Sequence, residues 1–200
     1  MKVVLLGDSA VGKSSIVETL MTGQCSQQHN ATIGAAFVSK TIGELNLNVW
    51  DTAGEEAYRS LTRLYYNDAA VALVVCDVGV RQTFESMASW CDDVVSNTRG
   101  RGDVKIVLVG NKCDLAPSQR VVAEDELQSF ARLRGLEYCE CSAFRKSAVD
   151  ALFEHVAEVA SGRKSSGSSD RTDTTTLRFG ESITTFEGLD ARSTNTQSLE

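Results

Sequence analysis

The chain has 200 residues, of which 42% are hydrophobic and 6% aromatic, and its formal net charge is -7. This length fits one domain with or without a tail, and the acidic balance argues against a nucleic-acid-binding protein. No run of roughly 18 apolar residues is present, so we expect no membrane-spanning helix. The six cysteines show no C-x-x-C spacing, which favours reduced thiols in a cytoplasmic protein.

A glycine-rich segment, GDSAVGKS at residues 7–14, directly follows an apolar run at residues 3–6. It matches G-x-x-x-x-G-K-[ST], in which the backbone N–H groups of a turn surround phosphate oxygens. Lys13 supplies charge for the outer phosphates, and the Ser14 hydroxyl suits a Mg²⁺ ion that bridges them. The alternative is a turn that joins a strand to a helix and binds nothing. The predicted phosphate-contacting residues are Ser9, Ala10, Val11, Gly12, Lys13, Ser14 and Ser15.

The first half of the chain predicts one helix and one hairpin. The helix spans residues 13–22, ends near a glycine, and is followed by a polar loop at 24–31. Extended runs at 36–42 and 45–50 are separated by Gly-Glu at 43–44, as a type II′ turn requires. Leucine and valine alternate with asparagine in the second run, which is typical of an antiparallel pair at a sheet edge.

Asp51 follows the hairpin directly and begins the sequence DTAG at 51–54. An acidic residue at the end of an apolar strand, downstream of Ser14, is where a P-loop protein places its second magnesium contact. The alternative is that Asp51 caps the next helix. The phosphate motif upstream favours the magnesium role.

The remaining segments alternate between strands and helices. A covered, mostly parallel α/β sheet is the expected result, with ligands bound outside the carboxyl ends of its strands. The phosphate motif, Asp51, NKCD at 111–114 and Ser142-Ala143 all follow strands, so they are expected to converge. The predicted segments are an irregular helix at 57–67, strands at 70–76, 105–109 and 137–141, and helices at 81–97, 124–134 and 148–160.

The composition changes after residue 162, where serine and threonine become frequent and apolar residues sparse. Such a segment cannot build a core, so we predict a globular domain at 1–162 and a disordered tail at 163–200. Apolar islands at 177–179, Ile183 and Phe186 leave a docking motif in the tail as an alternative.

NKCD indicates which nucleotide binds. The Asp114 carboxylate can accept two N–H donors from guanine that adenine does not present, and such a site rejects adenine strongly. Asn111 is expected to tie this loop to the phosphate loop, and the aliphatic stem of Lys112 to lie on the base. The backbone N–H of Ala143, beside Ser142, is expected to meet the guanine carbonyl. Alone, N-K-x-D also fits a polar turn after a strand.

With GDSAVGKS, TIG, WDTAGEE, NKCD and CSA in this order, residues 2–161 resemble the Ras-like small GTPases. TIGAAF at 32–37, YRSL at 58–61 and YY at 65–66 are similar to Rab signatures, closest to the endocytic members. The resemblance implies a P-loop NTPase G domain, a three-layer α/β/α fold with a six-stranded, mostly parallel sheet, one antiparallel edge strand and five helices. It also implies binding of GTP or GDP with Mg²⁺.

The resemblance also assigns roles by position. Thr32 would coordinate Mg²⁺ with Ser14 and Asp51, and Gly54 would donate its N–H to the γ-phosphate. Effector proteins would meet an aromatic trio, for which plain core packing is the alternative, and an exchange factor and a GTPase-activating protein would act on the switch segments. The trio is Phe37, Trp50 and Tyr65, and the implied catalytic set is Lys13, Thr32, Gly54 and Glu55.

Four departures from the family pattern stand out. Glu55 replaces the water-orienting Gln, which predicts slow intrinsic hydrolysis because an ionised Glu cannot donate to the γ-phosphate. No aromatic residue lies near Cys25 to stack on the base, and Phe144 is the candidate replacement. No cysteine follows Cys141, so we expect no lipid anchor and only indirect membrane contact. The hairpin at 43–44 is also shorter than in typical Rabs.

The sequence therefore predicts a monomeric, GTP-dependent switch in vesicle traffic, cytoplasmic or peripheral on endosomal or other vesicle membranes. One alternative is a binding protein that stays loaded with GTP and acts as a scaffold, which Glu55 favours. A P-loop ATPase or kinase is a weaker alternative, against which NKCD argues.

Overall fold

The chain folds as alternating strands and helices in a computed structural model that describes residues 1–26, 32, 34–54, 65, 68–98 and 104–162. Six strands and four helices lie within this part of the chain. In order they are β1 (Lys2–Leu6), α1 (Lys13–Thr22), β2 (Ala35–Ile42), β3 (Leu45–Thr52), β4 (Val71–Asp77), α2 (Arg81–Thr98), β5 (Lys105–Asn111), α3 (Glu124–Arg134), β6 (Glu137–Cys141) and α4 (Lys146–Ser161).

The strands form one sheet in the order β2-β3-β1-β4-β5-β6. All neighbouring pairs run parallel except β2 and β3, which are antiparallel. The predicted sheet, with its antiparallel edge strand, is therefore confirmed. In this topology β1 lies beside both β3 and β4, so the carboxyl ends of these strands meet at one edge, where ligands bind in open α/β sheets.

Alternate residues of the buried strands supply two separate cores, one on each face of the sheet. Val3 and Leu5 pack with side chains of α1 and α4, whereas Val4 and Leu6 pack with side chains of α2 and α3. Successive strand residues point to opposite faces, and both faces are covered, so the strands are apolar throughout. The predicted three-layer α/β/α arrangement is confirmed.

The hairpin at the sheet edge has the predicted two-residue connection. Ile42 pairs with Leu45, and Gly43 between them has φ 57, the left-handed region that favours glycine. In β3, Leu47 and Val49 are fully buried, while Asn46 is exposed. The prediction of one wet and one buried face is confirmed.

Some predicted boundaries and side-chain positions differ from the structure. α4 begins two residues before the predicted Ala148, and β3 and β5 extend to Thr52 and Asn111 because ladder pairing continues to the sheet edge. On α2, Val95 is 45% exposed, since the neighbouring Val94 fills the core position. The predicted helix at 57–67 and the tail at 163–200 lie outside the described residues, apart from Tyr65.

Two findings bear on the compositional predictions. All six cysteines belong to the described part of the chain, and each is a free thiol. Within the described ranges, no helix combines the length and the apolar character that crossing a membrane requires.

Candidate nucleotide-binding site

The loop at residues 7–12 turns sharply between β1 and α1. Ala10 has φ 61 and Gly12 has φ 97, so the backbone adopts left-handed geometry twice within three residues. Successive N–H groups in such a turn form a concave anion site, to which the following helix N-terminus adds positive charge. A Cβ atom at Gly12 would lie 2.3 Å from Asn111 Nδ2, which shows how closely this loop approaches the end of β5.

Lys13 is the first residue of α1, and its side chain packs against this loop. The residue is only 5% exposed. Its Nζ donates to the carbonyl oxygens of Gly7 and Asp8, both at 2.8 Å. Burial lowers the pKa of Lys13 to about 8, and the carboxylates of Asp51 and Asp8 act in the opposite direction. The ammonium is therefore desolvated but held near anionic and carbonyl oxygens, which suits a group that receives phosphate oxygens.

Deprotonation of Lys13 is expected to stabilise the nucleotide-free protein. The folded pKa of about 8 lies below the ordinary 10.5, so between these pH values the unfolded chain binds the extra proton and stability rises with pH. Below pH 8 the folded state bears the full cost of the buried charge. Lys13→Met lacks this titration, so between pH 8 and 10.5 its free energy of unfolding should rise by about 1–3 kcal/mol less than that of the wild type.

Denaturant unfolding of both nucleotide-free proteins from pH 7 to 10.5 checks this prediction. The stability of the wild type relative to Lys13→Met should rise as pH rises above about 8. A difference that stays constant over this range would contradict it.

Three side-chain oxygens meet between α1, the Thr32 segment and β3. Ser14 Oγ donates to Asp51 Oδ2 at 2.5 Å and lies 2.8 Å from Thr32 Oγ1. Thr32 Oγ1 lies 3.3 Å from the same Asp51 oxygen. The predicted metal ligands thus lie together at the carboxyl edge of the sheet. Hydroxyl and carboxylate oxygens are the donors that Mg²⁺ prefers, so the set fits this ion.

Asn111 joins the loop after β5 to the phosphate loop, as predicted. Its Nδ2 donates to the Val11 carbonyl at 2.8 Å, and its Oδ1 accepts the Ala143 N–H at 3.2 Å. Asn111 is fully buried, so both hydrogen bonds are shielded from water. Three separate segments are therefore fixed to one another by a single amide side chain.

The residues predicted to bind guanine lie beside Asn111. Ser142 Oγ donates to Asp114 Oδ1 at 2.5 Å, which sets the orientation of the carboxylate. Lys112 has φ 68, and its Nζ donates to the Ala10 carbonyl at 3.0 Å. The loop after β5 is therefore fixed to the phosphate loop through Lys112 as well as through Asn111.

Sequence reasoning missed two residues that support these loops. Asp77, at the end of β4, pairs with Lys112 at 2.7 Å and is 6% exposed. Thr19 donates from Oγ1 to the Ala143 carbonyl at 2.6 Å. An acidic residue directly after the apolar run at 71–76 was the available signal for Asp77. Nothing in the helical pattern singles out Thr19.

The other predicted site residues divide into three groups. Gly54 packs on the phosphate loop, since a Cβ there would lie 2.4 Å from the Asp8 carbonyl oxygen and 2.5 Å from Lys13 Nζ. Ser9 and Ala10 are exposed on the loop, Ser15 is half-buried, and Phe144 is 59% exposed beside Ala143. Glu55 lies outside the described residues.

The aromatic trio forms one cluster on β2, β3 and Tyr65. The Phe37 and Trp50 ring centroids lie 5.2 Å apart, and those of Trp50 and Tyr65 lie 5.3 Å apart. Phe37 is 52% exposed, so core packing does not account for it. Lys2 Nζ lies 5.3 Å from the centroid of Trp50, which adds a cation to this surface.

Comparison with known proteins identifies the family. The family model described as the Ras family matches residues 2–161. The chain is 40% identical over 158 residues to Ras-related protein RABA4d of Arabidopsis thaliana, covering 76% of this chain and 69% of that protein. It is 38% identical over 159 residues to Ras-related protein Rab11A of Lotus japonicus, covering 78% and 69%. The chain therefore belongs to the Ras family and is a Rab-type small GTPase.

Proposed function

We propose that this protein is a GTP/GDP switch that acts peripherally on vesicle membranes, on the endosomal side of intracellular traffic. The observation that carries the proposal is the convergence of four segments. Asn111 bonds to Val11 and to Ala143, and Asp51 lies with Ser14 and Thr32 at the same edge. This arrangement supports one pocket that reads the phosphates and the base together.

In this proposal the residues divide by the part of the nucleotide they hold. The N–H groups of residues 9–15 and the Lys13 ammonium bind the phosphates, and Asp114, Ala143 and the Lys112 stem bind guanine. Ser14, Thr32 and Asp51 hold Mg²⁺, which supplies positive charge to the phosphate oxygens when bound. Thr32 and Gly54 sense the γ-phosphate. Because only GTP offers that group, effectors that contact Phe37, Trp50 and Tyr65 bind according to nucleotide state.

Nucleotide competition tests this function. Purified protein with magnesium is titrated with a fluorescent GTP analogue, and unlabelled GTP, GDP and ATP compete for it. We expect GTP and GDP to displace the analogue at concentrations at least about a thousandfold below ATP, since unpaired buried polar groups reject the wrong base. Equal displacement by ATP would refute the guanine site and favour a P-loop ATPase or kinase.

Glu55 makes intrinsic hydrolysis slow in this proposal. Gln can accept a hydrogen bond from the attacking water and donate one to the γ-phosphate, whereas ionised Glu only accepts and adds negative charge. Glu55→Gln should raise the single-turnover hydrolysis rate by about a hundredfold, as restoring one such donor typically does. Rapid-quench measurement on preloaded protein checks this prediction, and equal rates would contradict it.

A second candidate function is a binding protein that stays loaded with GTP, which the same residue favours. GTPase-activating proteins of Rabs resemble one another in supplying both an Arg and a Gln in trans, so stimulated turnover separates the two. Phosphate release is measured with and without a Rab GTPase-activating domain. Stimulated release supports the switch, and its absence supports the scaffold.

Phe144 is proposed to cover the guanine in place of the missing aromatic near Cys25. It is 59% exposed in the loop that carries Ala143, so its ring is available to a ligand. Phe144→Ala should raise the nucleotide dissociation rate by about tenfold, since stacking on an aromatic contributes roughly 1–3 kcal/mol. Stopped-flow release of a labelled GDP measures this, with Leu133→Ala, an exposed apolar side chain on α3, as control. An unchanged rate would place Phe144 outside the pocket.

A further inference from the structure

A part-buried hydrogen bond joins the phosphate loop to α2. The Trp90 indole Nε1–H donates to Asp8 Oδ1 at 2.8 Å, across 82 positions of sequence. Trp90 is 2% exposed and packs in the core between the sheet and α2. A buried indole N–H requires an acceptor, and here one acceptor is a carboxylate of the phosphate loop. Such charge-assisted hydrogen bonds are roughly twice as strong as neutral ones.

Asp8 lies where the phosphate-binding groups meet. Its backbone carbonyl accepts the Lys13 ammonium at 2.8 Å. The same carbonyl is the atom against which Gly54 packs, since a Cβ at Gly54 would lie 2.4 Å from it. The backbone of Asp8 therefore contacts both Lys13 and Gly54, while its side chain is held from the opposite direction by Trp90.

Shape alone does not require tryptophan at this position. A phenylalanine would fill most of the same apolar volume without introducing a buried polar group. The indole N–H thus adds a directed contact to a core that already covers α2. That contact reaches a residue two positions from β1 and five from Lys13.

We propose that Trp90 and Asp8 are positioning residues for the phosphate site. The Trp90 N–H fixes the Asp8 side chain, and the immobilised Asp8 backbone holds the Lys13 ammonium in place for the phosphates. The inference rests on the proposed function, because it needs a bound nucleotide. Coupling between two sites is reciprocal, so nucleotide binding also changes the surroundings of Trp90 and, through it, of α2.

Nucleotide dissociation rates test the pair. Trp90→Phe and Asp8→Ala each remove one partner, and each should raise the rate of labelled GDP release about tenfold. The double variant should release GDP no faster than either single variant, because the hydrogen bond between Trp90 and Asp8 is already lost after the first change. Asp8→Asn keeps an acceptor oxygen for the indole and should stay within about threefold of wild type. Met87→Leu, fully buried on the same helix, is the control for core packing and should leave the rate unchanged.

Fluorescence supplies a second readout, which reports the surroundings of the Trp90 indole. The chain has two tryptophans, so in a Trp50→Phe background the emission comes from Trp90. We expect Asp8→Ala to shift this emission in the nucleotide-free protein and Asp8→Asn to retain the parent spectrum. Adding GDP should change the emission in the parent and leave it unchanged in Asp8→Ala.

The outcomes separate this inference from the function on which it rests. Effects of Trp90→Phe and Asp8→Ala that multiply in the double variant would overturn the inference, as would an emission spectrum insensitive to Asp8→Ala. In both cases guanine nucleotide binding by the wild type would stand. Wild-type protein that binds no guanine nucleotide would overturn the proposed function and the inference together.

Discussion

Gly12→Ala is expected to lower GTP affinity by about a hundredfold or more. The φ of 97 at Gly12 costs a side chain roughly 1–2 kcal/mol. The added Cβ would also lie 2.3 Å from Asn111 Nδ2, so the amide must move away from the Val11 carbonyl. A broken buried hydrogen bond adds about 1–3 kcal/mol. Both costs fall on the conformation that binds phosphate.

The matched control for this change is Gly43→Ala. Gly43 also has a left-handed φ, 57, but a Cβ there would meet nothing within 4 Å. The control carries backbone strain without the collision and lies in the hairpin, away from the phosphate loop. Isothermal titration with GTP should give wild-type affinity for Gly43→Ala. If Gly43→Ala lost as much GTP affinity as Gly12→Ala, the loss would be attributed to backbone strain alone and not to displacement of Asn111.

Asp114→Asn should remove most of the preference for guanine. The amide keeps the shape of the side chain and an oxygen for the Ser142 hydroxyl, which lies 2.5 Å from the carboxylate in the wild type. It presents one acceptor oxygen instead of two and has no charge. Because hydrogen bonds to charged groups contribute about 1.5–3 kcal/mol each, GTP affinity should fall by roughly a hundredfold to a thousandfold, with ATP affinity nearly unchanged.

Competition with GTP and ATP on wild type and variant measures this prediction. Asp92→Asn, a surface carboxylate paired with Arg134, is the control for loss of one negative charge. It should retain the full preference. An Asp114→Asn protein that still prefers GTP by the wild-type ratio would show that other groups read the base.

The periodic parts of the sequence predicted their structure well, because apolar patterning is a local property. The buried strand at 71–77 and the helices α1 and α3 follow from residue spacing and terminal glycines alone. The contact between Ser14 and Asp51 was also predictable, since Asp51 lies at the carboxyl end of β3 and Ser14 follows β1, and these two strand ends reach the same edge of the sheet.

Two contacts between side chains distant in sequence were not predictable. The pairing of Asp77 with Lys112, and of Trp90 with Asp8, depends on the order of strands and on side-chain rotamers. Neither pairing leaves a periodic or spacing signal in the sequence. For Glu55 the sequence alone gives the prediction. The replacement of Gln by Glu predicts slow hydrolysis, although Glu55 lies outside the described residues.

The bridging amide of Asn111 has a consequence for how nucleotide leaves the protein. One side chain holds both the phosphate loop and the Ala143 loop. In the proposed site, the phosphates and the base of a nucleotide are therefore not bound independently. We expect the binding free energies of guanosine and of pyrophosphate, measured separately, to sum to much less than the binding free energy of the whole nucleotide. An exchange factor that displaced either loop would therefore weaken binding of the whole nucleotide.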